Sequence, residues 1–301
     1  MEKNREEILC IENLSKKISG RLILDDISFK LYENEIVGFI GPNGAGKSTV
    51  MKCIAGLYNH TNGVIKINGY DIIKNRSKAL SKLGISIEYP ALYPELTGME
   101  HFKLVASWRN VSNDRIEEMV KFSNLNDNVF KKTKNYSMGM KQKLMLSLIM
   151  LSDPDLLVLD EPTNGLDPNA VFDLRKKLLS IKQQGKTILI SSHNLDEIEK
   201  IVDRVIFIEK GKLVGEKSIA ELQMNQVSYL MKVSNKDSAI QILSSHHIDF
   251  TELDEMIKIN VANENDFSTI IQEFTNHNIL IYSIDKQLMD LEDYYKSIYK
   301  D

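Results

Sequence analysis

Nine residues, Gly41-Pro42-Asn43-Gly44-Ala45-Gly46-Lys47-Ser48-Thr49, follow the spacing G-x-x-x-x-G-K-[ST]. In that pattern the backbone N–H groups of a glycine loop cradle phosphate oxygens. Glycine permits the close backbone approach and unusual φ values that a Cβ would obstruct. Glu35–Ile40 upstream is apolar and β-prone, and Val50–Leu57 downstream reads as helical. Strand, glycine loop and helix start are the context this motif requires, and the helix N-terminus adds partial positive charge and free donors. Lys47 is expected to reach β- and γ-phosphates, and Ser48 to place its hydroxyl on Mg²⁺. The stretch Asn43, Gly44, Ala45, Gly46, Lys47, Ser48 and Thr49 therefore predicts a nucleoside triphosphate site.

Three more residues fit the same chemistry. Asp160 ends the apolar run Leu156–Leu159 and precedes Glu161-Pro162. A carboxylate at a central strand's C-terminal end, in a chain with a phosphate loop, is placed to hold Mg²⁺. Glu161 beside it could polarise the attacking water as general base. His193 ends the next apolar run at Ser191-Ser192-His193; if that strand neighbours the Asp160 strand, its tip faces the same γ-phosphate. Ser137, within Tyr136-Ser137-Met138-Gly139-Met140-Lys141-Gln142, is a good N-cap beside a glycine, which makes a second anion site at a helix start. Two phosphate-binding helix starts in one chain invite a two-chain sandwich with shared nucleotides.

The elements that position these residues alternate in type. Short apolar strands at 8–11, 22–24 and 27–31 precede the phosphate loop, with Ser19-Gly20 as a turn. Asn62-Gly63 and Asn68-Gly69 bracket a strand at 64–67. Gly84–Tyr89 reads as a strand stopped by Pro90. From 91 to about 134 the pattern is helical, with a capping-box spacing at Thr97 and Glu100 and a second helix around Ile116, Met119 and Val120. Ser137 starts a long helix that Asp153-Pro154 ends. The run 156–159, a helix over 169–183, the run 187–190, a helix over 194–202 and a hairpin around Lys210-Gly211 follow. Such alternation indicates an α/β sheet. Beyond Ile219 no glycine or proline occurs. Strands 226–233, 248–253, 256–261 and 279–285 with helices 236–246 and 264–276 give a β-α-β-β-α-β, ferredoxin-like order, followed by a helical tail.

Composition excludes several classes. A length of 301 residues accommodates one large domain and a small one. A net charge of −4 gives no electrostatic case for nucleic acid as a partner. Cys10 and Cys53 match no metal spacing and read as small buried hydrophobes. The adjacent His246-His247 would point apart on a helix, against a metal site there. The charged N-terminus leads into no secretory signal, and no uncharged apolar stretch approaches the ~18 residues of a membrane helix.

Together the phosphate loop, the Tyr136–Gln142 signature, Leu156–Pro162, Asn164-Gly165-Leu166-Asp167 and His193 stand in an order that resembles the ATP-binding subunit of an ABC transporter. The likeness spans residues 6–218. It implies an ABC-type ATPase domain over 1–218, with a helical subdomain at about 91–150, and a small accessory domain over 219–301. It implies head-to-tail dimers, as a homodimer or with a related ATPase, each ATP lying between one phosphate loop and the other copy's Ser137 and Gly139. Asp167 would communicate across that interface, and hydrolysis would drive a separate integral-membrane permease. The subunit itself would be cytoplasmic, peripheral on the inner face of the cell membrane.

Three residues depart from the family pattern. Ile18 stands where an aromatic usually stacks on adenine, which predicts weaker nucleotide affinity and less base discrimination. Glu88 stands where a glutamine is usual; its carboxylate only accepts hydrogen bonds and would suit a site near Mg²⁺. Met138 replaces a signature glycine. Glu88 with the following Tyr89–Pro94 resembles the bacitracin-resistance and lantibiotic-immunity exporters, which implies export of a peptide or hydrophobic antibiotic. The rival reading is a soluble ABC-type mechanoprotein not tied to transport. Such proteins usually carry two ATPase units or long coiled coils, whereas this chain has one phosphate loop and no heptad array.

Overall fold

The computed structural model describes residues 5–88, 90–225, 227–261, 264–288 and 290–299. They form two compact units, Met1–Glu216 and Lys217–Asp301.

In the first unit a six-stranded sheet has the order Lys212–Ser218, Arg204–Glu209, Ile36–Ile40, Thr187–Ser191, Leu156–Leu159, Leu83–Ser86. Its ladders from Arg204–Glu209 through to Leu83–Ser86 are parallel. Ile36–Ile40, Leu156–Leu159 and Thr187–Ser191 are buried at every position, which explains their continuous apolar runs. Phe39 pairs with Ser191, and Leu159 with Ile190. This register sets Gly41, Asp160 and Ser192 along one edge, the C-terminal ends of three adjacent parallel strands. The expected neighbouring of the Asp160 and His193 strands is therefore observed.

A second, antiparallel sheet has the order Arg21–Tyr32, Glu7–Ile18, Asn62–Ile67, Tyr70–Asp71. Its first two strands are 12 residues each, longer than the short runs the sequence suggests. Register shifts around Asn13, and positive φ at Asn13 (50°) and Asp26 (57°), break the apolar alternation without ending the pairing. One buried cluster joins Leu9, Ile11 and Ile65 of this sheet to Val37, Phe39, Val158 and Leu189 of the other. Val50, Met51 and Ile54 from the helix Lys47–Ile54 complete it. Each such side chain contributes roughly 1.5–3 kcal/mol. The phosphate-loop helix is thus fixed by its apolar face.

The helical subdomain comprises Gly98–Arg109, Asn113–Ser123 and Met138–Met150, with 3₁₀ turns at Asn126–Phe130 and Thr133–Asn135. Thr97 and Glu100 form the expected capping box. Asn124 turns left-handed at φ 55° and ends the second helix. The preceding strand stops at Ser86, short of the expected 89, because Glu88 takes φ 62° and cannot continue a ladder. Tyr89 lies outside the described residues. The helix expected over 194–202 is the shorter Leu195–Glu199.

The second unit holds a four-stranded antiparallel sheet ordered Asp249–Glu252, Ile257–Val261, Val227–Val233, Ile281–Leu288. Residue 226 of the expected first strand lies outside the described residues. Helices Lys236–Ser245 and Glu264–Asn276 supply Leu243, Ile270 and Phe274 to a core with Tyr229, Met231 and Ile259. This is the ferredoxin-like arrangement. A helix at Ile219–Asn225 precedes it and another at Leu291–Ile298 follows.

Candidate functional site

The glycine loop is tied into the sheet before any side chain acts. A Cβ on Gly41 would sit 2.2 Å from the Ile208 carbonyl oxygen, so backbone crosses backbone there. Gly46 takes φ 113°, and a Cβ would meet Leu24 at 2.8 Å. No other residue type suits either position. Gly46 caps the helix Lys47–Ile54 without a side-chain hydrogen bond, so no side chain competes for the first N–H groups. Lys47 is buried, and its Nζ donates to the carbonyls of Gly41 at 2.5 Å and Pro42 at 3.2 Å. Burial pushes its ammonium down from the usual lysine range, while Glu161 and Asp160 pull it back up.

Asp160 is 3% exposed, and its Oδ1 accepts from Ser191 Oγ at 2.6 Å. Glu161 adopts φ 48°, an uncommon conformation for a residue with a Cβ. Its N–H donates to the same Ser191 Oγ at 2.9 Å. Glu161 Oε2 accepts from the His193 N–H at 3.2 Å and lies 2.8 Å from His193 Nδ1. An ionised carboxylate only accepts, so Nδ1 carries the proton in this contact. Nε2 is then an acceptor in neutral imidazole and a second donor in imidazolium.

A cavity of about 200 Å³ is lined by Ser48, Glu88, Pro90, Met138, Gln142, Asp160, Glu161, Pro162 and Asn164. It brings together all three expected metal-binding residues, Ser48, Asp160 and Glu88, with the expected base Glu161. Glu88 does not turn its charge to Asp160, however; its Oε1 is held by Lys52 Nζ at 2.7 Å. Ser137, Gly139, Asp167 and Ile18 do not line the cavity. Ser137 Oγ caps its helix by accepting from the Met140 N–H at 3.2 Å. Asp167 Oδ1 does the same for Pro168–Gln183 from Ala170, at 2.9 Å. Ile18 ends its strand half-exposed, just before the left-handed Ser19.

Serine or carboxylate oxygens are the donors a hard divalent cation prefers. Among the described residues no three His, Cys, Asp or Glu side chains form a metal cage by themselves. Mg²⁺ keeps waters and takes one or two protein ligands beside phosphate oxygens. Ser48 and Asp160 fit the ion.

Sequence reading missed two residues. In the sequence Ser191 reads only as part of a strand end; its complete burial is what signals a polar partner. Lys52 lies 36 positions from Glu88, and no local pattern joins them.

A parallel sheet carrying a glycine loop, with a helical subdomain inserted before the Asp160 strand, defines an ABC-type phosphate-loop ATPase. The ABC transporter family matches residues 24–164. The chain is 35% identical to a bacitracin transport ATP-binding protein of Enterococcus faecalis, over 97% of this chain and 96% of that one. It is 37% identical to a lantibiotic transport ATP-binding protein of Streptococcus pyogenes, over 74% of this chain and 98% of that one. A solved ATP-binding subunit of an ABC transporter superposes with a TM-score of 0.67 at 32% identity, covering 72% of this chain and 92% of that one. The chain belongs to the ABC transporter ATP-binding proteins: it is a nucleotide-binding ATPase subunit that powers transport. The mechanoprotein reading is set aside by these matches. Among the described residues no helix is long and apolar enough to cross a membrane.

Proposed function

We propose that this subunit powers export of a peptide or hydrophobic antibiotic through a separate integral-membrane permease, from the cytoplasmic face of the cell membrane. Support for the cargo class comes from the relatives named for bacitracin and lantibiotic transport. The observation that carries the chemistry is Glu161, anchored through its backbone by Ser191 and through its carboxylate by His193, on the cavity that Ser48 also lines.

In this reading Asn43, Gly44, Ala45, Gly46 and Thr49 cradle the phosphates, and Lys47 turns from the Gly41 carbonyl to the β/γ-phosphates. Ser48 and Asp160 would hold Mg²⁺, which would supply positive charge to offset that of the phosphates. Glu161 takes a proton from water as the water oxygen bonds to the γ-phosphorus and the β–γ bridging oxygen leaves with ADP. His193 orients Glu161 through Nδ1 and turns Nε2 to the γ-phosphate. Ser137 and Gly139 of a second copy, or of a related ATPase, close over the nucleotide, with Asp167 at that interface. Ile18 packs on the base. Residues 217–301 act as an accessory, dimer-supporting domain.

The test is drug susceptibility in the source cell, comparing the wild-type chain with Glu161→Gln against a panel of bacitracin-type and lantibiotic peptides. Sensitisation to at least one peptide by the variant is the expected result. Unchanged susceptibility across the panel would overturn the cargo assignment.

A further inference from the structure

The pair Lys52–Glu88 is unaccounted for by the ATPase cycle above. Lys52 stands four residues after Ser48 on the helix Lys47–Ile54. Residues at that spacing share a face, with Cβ atoms roughly 6 Å apart. Glu88, with φ 62°, is turned by its own backbone toward this face and lines the cavity with Ser48, Asp160 and Glu161. Three carboxylates beside a polyphosphate repel unless cations intervene. Lys52 neutralises one of them at 2.7 Å, and its ring contact with Tyr58, 5.7 Å to the centroid, holds it on that side.

We propose that Lys52 is a positioning residue that latches Glu88 away from the metal, and that the divalent cation and Lys52 compete for the Glu88 carboxylate. This rests on the assignment of the metal to Ser48 and Asp160. With Lys52 holding it, Glu88 is a spectator; when the metal–nucleotide arrives a turn away, the carboxylate transfers and the latch opens. A glutamine at 88 would bind Lys52 far more weakly, because both partners must be charged for the latch to hold.

The latch is tested by Mn²⁺ binding rather than turnover. Free Mn²⁺ is read by electron paramagnetic resonance as it is titrated into full-length protein with the β,γ-imido analogue of ATP. Lys52→Met is expected to tighten Mn²⁺ binding about two- to fivefold, the range of an exposed ion pair, and to do so only where Glu88 is present. Lys52→Arg keeps the pair and the wild-type affinity, and a thermal melt shows that each variant is folded. In the Glu88→Gln background the Lys52→Met effect vanishes. No tightening, or equal tightening in both backgrounds, overturns the latch, the second because Lys52 would then act on the metal directly. Absence of nucleotide-dependent Mn²⁺ binding in every variant overturns the metal assignment and the latch with it.

Discussion

Ser191 Oγ donates to Asp160 Oδ1 at 2.6 Å while accepting the Glu161 N–H at 2.9 Å. One buried hydroxyl therefore fixes both the Asp160 carboxylate, the proposed metal ligand, and the backbone of the proposed base. Ser191→Ala leaves both without that partner, at a cost of about 1–3 kcal/mol. Turnover is expected to fall about tenfold or more with a smaller change in KM, measured by phosphate release. Wild-type turnover would show that Asp160 and Glu161 are held well enough without it.

The contrast between Ser191 and Asp160 shows which features are legible in the sequence and which are not. Gly41–Thr49 is legible because its chemistry is local: nine consecutive residues specify a turn, a donor set and a charge. Leu156–Leu159 is legible because burial on both faces leaves only apolar types. The Ser191–Asp160 bond spans 31 positions and Lys52–Glu88 spans 36, and each exists only because parallel strands bring the segments to one sheet edge. The long strands Glu7–Ile18 and Arg21–Tyr32 were obscured by bulges at Asn13 and Asp26, where periodicity fails although pairing persists.

Glu35 is 2% exposed and meets Arg204 through two hydrogen bonds, Nη2 to Oε1 at 2.7 Å and Nε to Oε2 at 3.1 Å. Arg204→Met leaves that buried carboxylate without a cation, its Oε1 keeping only the Tyr32 N–H at 2.7 Å, and a loss of about 3 kcal/mol in urea unfolding is expected. Adding Glu35→Gln should recover part of it. A loss below about 1 kcal/mol in the single variant would mean that Glu35 finds water.

Burial lowers the Lys177 ammonium from 10.5 to about 8, with Lys143 pushing the same way. Its Nζ donates to the Phe122 carbonyl and sits 4.0 Å from the Phe122 ring centroid. Below pH 8 both folded and unfolded chains are charged there, and the burial cost is fully present. As pH rises through about 8 the folded lysine sheds its proton while the unfolded one keeps it to about 10.5, so this group adds stability. Cys10 and Cys53, raised by burial from 9.0 to about 11, oppose it above pH 9 as the unfolded thiols ionise first. The stability of wild type relative to Lys177→Met is therefore expected to rise between pH 7.5 and 9. A constant gap would contradict the shift.

Ile18 lacks the ring that stacks on a base, a contribution of about 1 kcal/mol. Ile18→Tyr is expected to tighten ATP about fivefold in a fluorescent-nucleotide competition and to sharpen preference for ATP over other triphosphates. Equal affinity in both proteins would place the base elsewhere.

The central proposal is that Glu161 is the base in a nucleotide sandwich closed by a second copy or a related ATPase. The most direct measurement is ATP turnover by wild type and Glu161→Gln, with size-exclusion chromatography of each in ATP and Mg²⁺. The account predicts turnover by wild type, none by the variant, and a stable ATP-bound dimer of the variant alone. A variant that stays monomeric with ATP bound would leave only the sandwich with a related ATPase, and one that hydrolyses ATP at the wild-type rate would contradict the account.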